Sequence, residues 1–196
     1  HDDWIYRVVF RGDTAELEPA RKIRLPFWSS FARLDFEGIT HDSAGIFYLA
    51  SEANCRILKV PREGRAIWLT PDLKPAGREK GLFTVDNAHL EAVSRISPDV
   101  FILCAERQPR GFLEVNLGRQ PPDIDAYPCN ESIYDFARGR SLDFSGLYWY
   151  RSKLYVLEQD AFIISRLKRA SGKLTEDRGW SYRHVVTSAP FRYEDM

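Results

Sequence analysis

Residues 36–60, FEGITHDSAGIFYLASEANCRILKV, decide the fold, because the same pattern returns twice further along the chain. It reappears over residues 90–115 as LEAVSRISPDVFILCAERQPRGFLEV, and over residues 144–168 as FSGLYWYRSKLYVLEQDAFIISRLK. Glu37, Glu91 and Ser145 follow one another at intervals of 54 residues, and Glu52, Glu106 and Asp160 do the same. On this ladder Phe47 meets Phe101 and Tyr155, and Leu49 meets Leu103 and Leu157. A fixed period of this size is the mark of a repeat architecture.

Within one unit, Glu37-Gly-Ile-Thr is β-compatible and leads into the turn-formers of residues 41–45. Residues 46–50, IFYLA, are apolar at every position, which suits a strand covered on both faces. A turn at 52–55 leads to RILKV, and a turn at 61–64 leads to AIWLT at 66–70. Four short strands joined by hairpin-length turns, followed by a longer loop, make the blade of a β-propeller. The predicted fold is therefore all-β, a propeller with four-stranded antiparallel blades. The alternative is a sandwich whose strands resemble one another by composition alone. Against it, acids at both ends of the hairpin keep step in the first two units, not only the apolar interior.

The chain has 196 residues, enough for a substantial core in one domain. Lys+Arg and Asp+Glu balance at 28 each, so no basic field exists to hold nucleic acid. No apolar run reaches the length that spans a bilayer. Cys55, Cys104 and Cys129 are odd in number and include no CxxC, which speaks against a thiolate metal site. One disulfide plus one free thiol is left open, with Cys104 reading as a small buried hydrophobe inside its apolar run.

The chain enters halfway through a blade: residues 4–9 resemble the third strand of the unit, and residues 22–26 read as a fourth. Full units start near 36, 90 and 144. Residues 71–89 read as a polar loop, residues 131–140 as a short helix, and residues 178–186 as an outer strand. The expectation is a single domain over residues 1–196 with three full blades and a partial one. The inner strands of the closing blade are missing, as in a portion of a longer protein.

In a propeller the first strand of each blade lines the channel and the second runs back beside it. The start of the first and the end of the second then share one rim. Glu37 with Glu52, Glu91 with Glu106, and Ser145 with Asp160 are such pairs, and they gather carboxylates at one mouth. Oxygen-rich rims suit a hard cation such as Ca²⁺ or a small-molecule ligand with several hydrogen-bond donors. Crowded carboxylates also repel, which raises at least one pKa unless a cation or arginine compensates. Their other use is structural, accepting backbone N–H groups at blade turns or pairing with Arg56, Arg95, Arg107 or Arg110. No G-x-S-x-G elbow, HExxH, phosphate-cradling loop or EF-hand pattern occurs. His41, His89 and His184 have no neighbour in sequence that singles them out, and the five tryptophans read as packing between blades.

The runs Phe36-Glu-Gly-Ile39, Phe47-Tyr-Leu-Ala-Ser-Glu52 and Ile57-Leu-Lys-Val60 resemble a bacterial propeller family. It is the family labelled phytase-like, or "esterase-like activity of phytase", close to the SdiA-regulated propellers. Leu90-Glu-Ala-Val93, Phe144-Ser-Gly-Leu147 and Leu154-Tyr-Val-Leu157 repeat the style. The resemblance implies an exported, periplasmic or secreted propeller with acids at the channel mouth. By position those acids are Glu37, Glu52, Glu91, Glu106 and Asp160. Ser145 departs from the expected Glu, and the dense aspartate clusters of calcium-dependent phytases are not visible.

Two functions follow. In one, Glu52, Glu106 and Asp160 hold a divalent cation, Ca²⁺, that polarises an ester or phosphoester and acidifies a bound water, while Glu37 or Glu91 acts as general base. In the other, the same rim is a non-catalytic surface for a ligand or a protein partner.

Overall fold

The computed structural model describes residues 4–25, 34–130, 132–134 and 142–187. A hairpin of β1 (Trp4–Arg11) and β2 (Thr14–Lys22) comes first. The first full sheet holds β3 (Phe36–His41), β4 (Phe47–Ser51), β5 (Arg56–Val60) and β6 (Ile67–Trp68). The helix α1 (Lys74–Glu79) leads to the second sheet, β7 (Leu90–Arg95), β8 (Val100–Ala105), β9 (Gly111–Asn116) and β10 (Asp123–Pro128). The third sheet is β11 (Gly146–Tyr150), β12 (Lys153–Glu158), β13 (Ile163–Ala170) and β14 (Lys173–Ser181), followed by α2 (Arg183–Thr187). Each full sheet is an antiparallel meander in chain order. Its strands pair through hairpins, as consecutive antiparallel strands can.

The sheets are arrayed through their first strands: β3 packs on β7, and β7 packs on β11. This is a β-propeller of four-stranded blades, as the 54-residue period predicts. The approach of β3 to β7 is close enough to require glycine. A Cβ on Gly38 would stand 2.7 Å from the Ala92 Cα and from the Val93 nitrogen, so only a residue without one fits.

Between the first and second blades, Tyr48, Ala50 and Ile57 meet Val93, Phe101, Leu103 and Leu113. Tyr48 sits edge-on to Phe101 with ring centroids 5.0 Å apart. Between the second and third blades, Ile102, Cys104 and Phe112 meet Phe144, Leu154 and Val156, with Phe112 4.8 Å from Phe144. The middle blade is thus covered on both sides. That is why β8 reads VFILCA without a polar residue. On the far side of the first blade, Ile5 and Ile23 of the entering segment pack on Leu49, Leu58 and Val60.

Several local expectations change. The second strand of the entering hairpin is β2, at 14–22, and not 22–26; Gly12 at φ +62 closes a tight turn directly after β1. The outer strand of the third blade ends at Ser181, and residues 183–187 form α2. The loop 71–89 contains α1, started by Pro75 and by the Lys74 N–H donating to Asp72 Oδ1 at 2.9 Å. Of the strand expected over 66–70, only Ile67–Trp68 is formed. The helix expected over 131–140 falls largely outside the described residues. Cys55, Cys104 and Cys129 are all free thiols, so no disulfide forms among them.

The third unit also slips against the ladder. Ile39 pairs with Leu49 and Val93 with Leu103, but Leu147 pairs with Val156 rather than Leu157. The β11–β12 hairpin closes on two residues, Arg151 and Ser152, both with positive φ, which is the tight hairpin turn. The longer turn at 96–99 in the second blade has no counterpart. Everything in β12 is therefore one residue early. Leu154 and Val156, both buried, fill the places of Phe101 and Leu103, and Tyr155 and Leu157 turn to the other face.

Candidate acidic site at the channel mouth

Glu37 and Glu91 occupy the same device in two blades. Each is the extra residue of a β-bulge, Glu37 between Phe36 and Gly38, Glu91 between Leu90 and Ala92. A bulge leaves its extra residue out of the ladder and re-aims the side chain. The residue after each second strand closes the same rim: the Glu52 N–H donates to the Asp35 carbonyl at 2.8 Å, and the Glu106 N–H to the His89 carbonyl at 3.0 Å. In the third blade the Asp160 N–H donates to Oδ1 of Asp143 at 3.0 Å.

Asp35, His89 and Asp143 thus form a further ladder of 54-residue steps that the strand-based reading missed. Its signal is present in the sequence, two residues before each of Glu37, Glu91 and Ser145. Carboxylate oxygens of Asp35, Glu37 and Glu52 all lie within 4.8 Å of one another. This trio, not Glu52 with Glu106 and Asp160, is the set with cation-ligand spacing among the described residues. Two oxygens each about 2.4 Å from one calcium ion can be no more than about 4.8 Å apart, so the trio fits such an ion.

Charge crowding extends to the second blade. Burial pushes the Glu91 carboxyl up to about 7, and the charges of Glu106, Glu37, Glu52 and Asp143 add to the rise. Burial likewise raises Glu106, partly offset by Arg107, whose guanidinium nitrogen is 2.7 Å away. Asp143 is also raised by burial, against the Asp160 N–H that holds its charged form. Asp160 itself is exposed and stands one residue beyond the position of Glu106, a consequence of the slip in β12. At Ser145 the main-chain N–H and the hydroxyl both point at the Leu157 carbonyl, 2.9 and 3.5 Å away.

The structural use of the acids is realised in part. Glu52 Oε1 accepts the buried His89 N–H at 2.9 Å. The other arginines go elsewhere. Arg56 donates to the Thr70 carbonyl and lies over Trp68, and Arg95 stands 3.7 Å from Asp42 on the opposite rim. Arg110 is buried between Glu158 and Glu176, two acids that the repeat pattern did not single out because Ala50 and Cys104 hold the ladder positions of Glu158. The His89 ring is buried against Phe83, and burial together with the charge of Lys74 pushes its pKa down, which favours the neutral ring. His41 and His184 are exposed and lie outside the cluster.

No protein-family model matches the chain, and neither does any curated protein sequence. Among solved structures it is similar to a catalytically inactive virginiamycin B lyase from Staphylococcus aureus with quinupristin, at 13% identity and a TM-score of 0.48. It is similar also to the selenomethionine-substituted form of that lyase, at 13% identity and a TM-score of 0.46. These alignments cover 83% and 76% of this chain, which spans 44% and 41% of the length of those proteins. Among the described residues, no helix is long and apolar enough to cross a membrane.

Proposed function

We propose that this propeller binds a divalent cation, Ca²⁺, at the acidic mouth, and that it is an exported, phytase-like protein acting on a phosphoester or another ester. The observation that carries the reading is the convergence of Asp35, Glu37 and Glu52 to within 4.8 Å, with Glu91 beside them. Asp35, Glu37 and Glu52 would hold the ion, in place of the set containing Glu106 and Asp160. A bound cation would supply Lewis acidity toward an ester oxygen or a water. Without the ion the Glu91 carboxyl is pushed up to about 7; a bound dication would favour its charged form, which can accept a proton from a water as a general base requires. Glu106 is neutralised in part by Arg107 and fits a supporting role.

Calorimetric titration of the chelator-treated protein with CaCl₂ tests the reading. A site of extracellular type binds with Kd on the order of 10⁻⁴–10⁻³ M. Glu37→Gln and Glu52→Gln should each weaken it at least tenfold, and undiminished affinity in both would rule the site out. Turnover of phosphomonoester and carboxyl-ester substrates by the calcium-loaded protein then tests catalysis.

A second reading, a non-catalytic binding mouth, has its own support. In the third blade the place held by Glu37 and Glu91 is taken by Ser145, whose hydroxyl is directed at the Leu157 carbonyl, so that position offers no carboxylate for acid–base work. Calcium binding without turnover of any ester favours this reading.

A further inference from the structure

The two joints between full blades differ in how they treat a charge. On β4 and β5, Tyr48 pairs with Lys59 and Ala50 with Ile57, which puts all four on the face turned to the second blade. The equivalent pair in the second blade is Ile102 with Glu114, one 54-residue step on from Tyr48. There the charge is met. Arg169 of the third blade donates to Glu114 Oε1 at 2.8 Å, and the Tyr127 hydroxyl donates to the same oxygen at 2.7 Å. Lys59, half-buried, has no hydrogen-bond or ion-pair partner among the described residues. Beside it a cavity of about 640 Å³ lies between the first and second blades.

Tyr48, Phe101, Leu69 and Leu117 give this cavity an apolar wall. Charged groups border it too, and most of them are already committed. Asp42 accepts the Ile46 N–H and the Tyr48 hydroxyl, both at 3.0 Å, and stands 3.7 Å from Arg95. Arg95 donates to the Pro98 carbonyl at 2.9 Å and lies over the Tyr48 ring, 5.4 Å from its centre. These contacts shape the wall without a ligand, and small-molecule sites are largely pre-formed in this way, with volumes of about 300–1,000 Å³. Asp42 and Arg95 offset each other. Asp99, the other acid on the lining, is exposed on the turn at 96–99, where water and salt screen it. The uncommitted group is a half-buried ammonium against apolar side chains.

We propose that this cleft binds a small organic carboxylate with an apolar body. The carboxylate takes the place at Lys59 that Arg169 takes at Glu114, with the sign of the charges reversed, and the body lies against Tyr48, Phe101, Leu69 and Leu117. Asp42 and Arg95 belong to the rim opposite the acids of the channel mouth, so an anion here and a cation there are separate events.

Nuclear magnetic resonance titration of the nitrogen-15-labelled chain, in chelator, tests the proposal with three probes of one shape: 3-phenylpropanoate, 3-phenylpropan-1-ol and 3-phenylpropan-1-amine. The carboxylate should shift the amides of Lys59, Phe101 and Leu117 saturably, with Kd on the order of 10⁻³ M for a ligand of this size. The alcohol should bind at least tenfold more weakly, and the amine should leave these amides unmoved. Lys59→Met keeps the apolar stem and should weaken the carboxylate at least tenfold, with the spectrum away from the cleft unchanged as evidence of folding. Lys59→Arg should restore affinity to within about threefold, and Asp99→Asn should leave it equal or tighter. No saturable shift with the carboxylate overturns the proposal. So does equal binding of the alcohol, undiminished affinity in Lys59→Met, or weakening by Asp99→Asn, which would mean that the cleft selects a cationic group.

Discussion

The main-chain N–H of His89 donates to Oε1 of Glu52 at 2.9 Å, so an acid of the first blade holds the entry to the second. Glu52 therefore has two jobs, one in the carboxylate trio and one in the joint between blades. They separate by substitution. Glu52→Gln keeps an amide oxygen for His89 and should leave stability within about 0.5 kcal/mol, whereas Glu52→Ala orphans a buried N–H and should cost about 1–3 kcal/mol. Both should lose calcium affinity. Urea unfolding with chelator and calcium calorimetry on the two variants measure the split; equal destabilisation by both would refute the hydrogen bond's role.

Glu91 gives the stability of the protein a definite pH dependence. Its folded-state pKa, about 7, lies above its ordinary value of 4.5. Stability associated with its neutral form is complete below 4.5 and is lost as pH rises through 7. Replacing the carboxyl by a neutral amide removes that loss. In chelator at pH 8, Glu91→Gln should be more stable than the parent by about 1–2 kcal/mol, a figure discounted for solvent screening of a half-buried group. At pH 4 the two should unfold alike. Parallel urea titrations at the two pH values check this, and a parent that gains on Glu91→Gln as pH rises would contradict it.

The architecture was legible because a repeat shows itself in register: Glu37 and Glu91 keep their spacing, and both turn out to sit in bulges. The all-apolar IFYLA at 46–50 announced a strand covered on both faces, and β4 has Tyr48 and Ala50 in one core cluster and Phe47 and Leu49 in another. The slip in the third unit was not legible at the level of the ladder. Arg151 and Ser152 make a turn one residue tighter, and a gap-free comparison of Phe101 with Tyr155 hides it because both are aromatic. The gathering of acids on one rim was legible, and the membership of the trio was not. Asp35 and Asp143 precede the strands, so a reading anchored on strand residues passes them by. His89 interrupts the acidic series at the intervening step. Glu158 was invisible for another reason: its partner Arg110, just before β9, and the Glu176 that shares this arginine are distant in sequence, and nothing local marks them.

The approach of β3 to β7 at Gly38 should tolerate no added carbon. A Cβ at residue 38 would meet main-chain atoms of Ala92 and Val93, which cannot swing aside as a side chain can. Gly38→Ala should cost about 1–3 kcal/mol through forced separation of β3 and β7. Glu37 is adjacent, so calcium affinity should fall with stability. Gly172→Ala, in open space on a surface turn but at φ +81, is the control for backbone strain alone, and it should leave calcium affinity untouched. Thermal unfolding and calorimetry on both variants distinguish packing from strain.

Arg110 offers the sharpest test of the joint between the second and third blades. Its nitrogens reach Glu158 at 2.8 Å, Glu176 at 2.7 Å and the Cys129 carbonyl at 2.9 Å, and its guanidinium lies 4.4 Å from the ring centre of Phe144. The remaining carboxylate oxygens are also used: Glu158 accepts the Ser165 hydroxyl, and Glu176 accepts the Ser132 hydroxyl and the Ile133 N–H. One buried cation thus faces two buried acids. Burial, with the charge of Glu176, pushes the Glu158 carboxyl up. Removing the cation leaves both acids uncompensated, so Arg110→Met should cost about 3–5 kcal/mol at pH 8. The cost should shrink toward pH 4, because the stranded carboxyls can then take up protons. Arg110→Met combined with Glu158→Gln should recover part of the loss at pH 8 and little at pH 4. Urea midpoints for the three proteins at both pH values decide the matter: a penalty independent of pH would mean that Arg110 acts through its stacking on Phe144 and not through its charge.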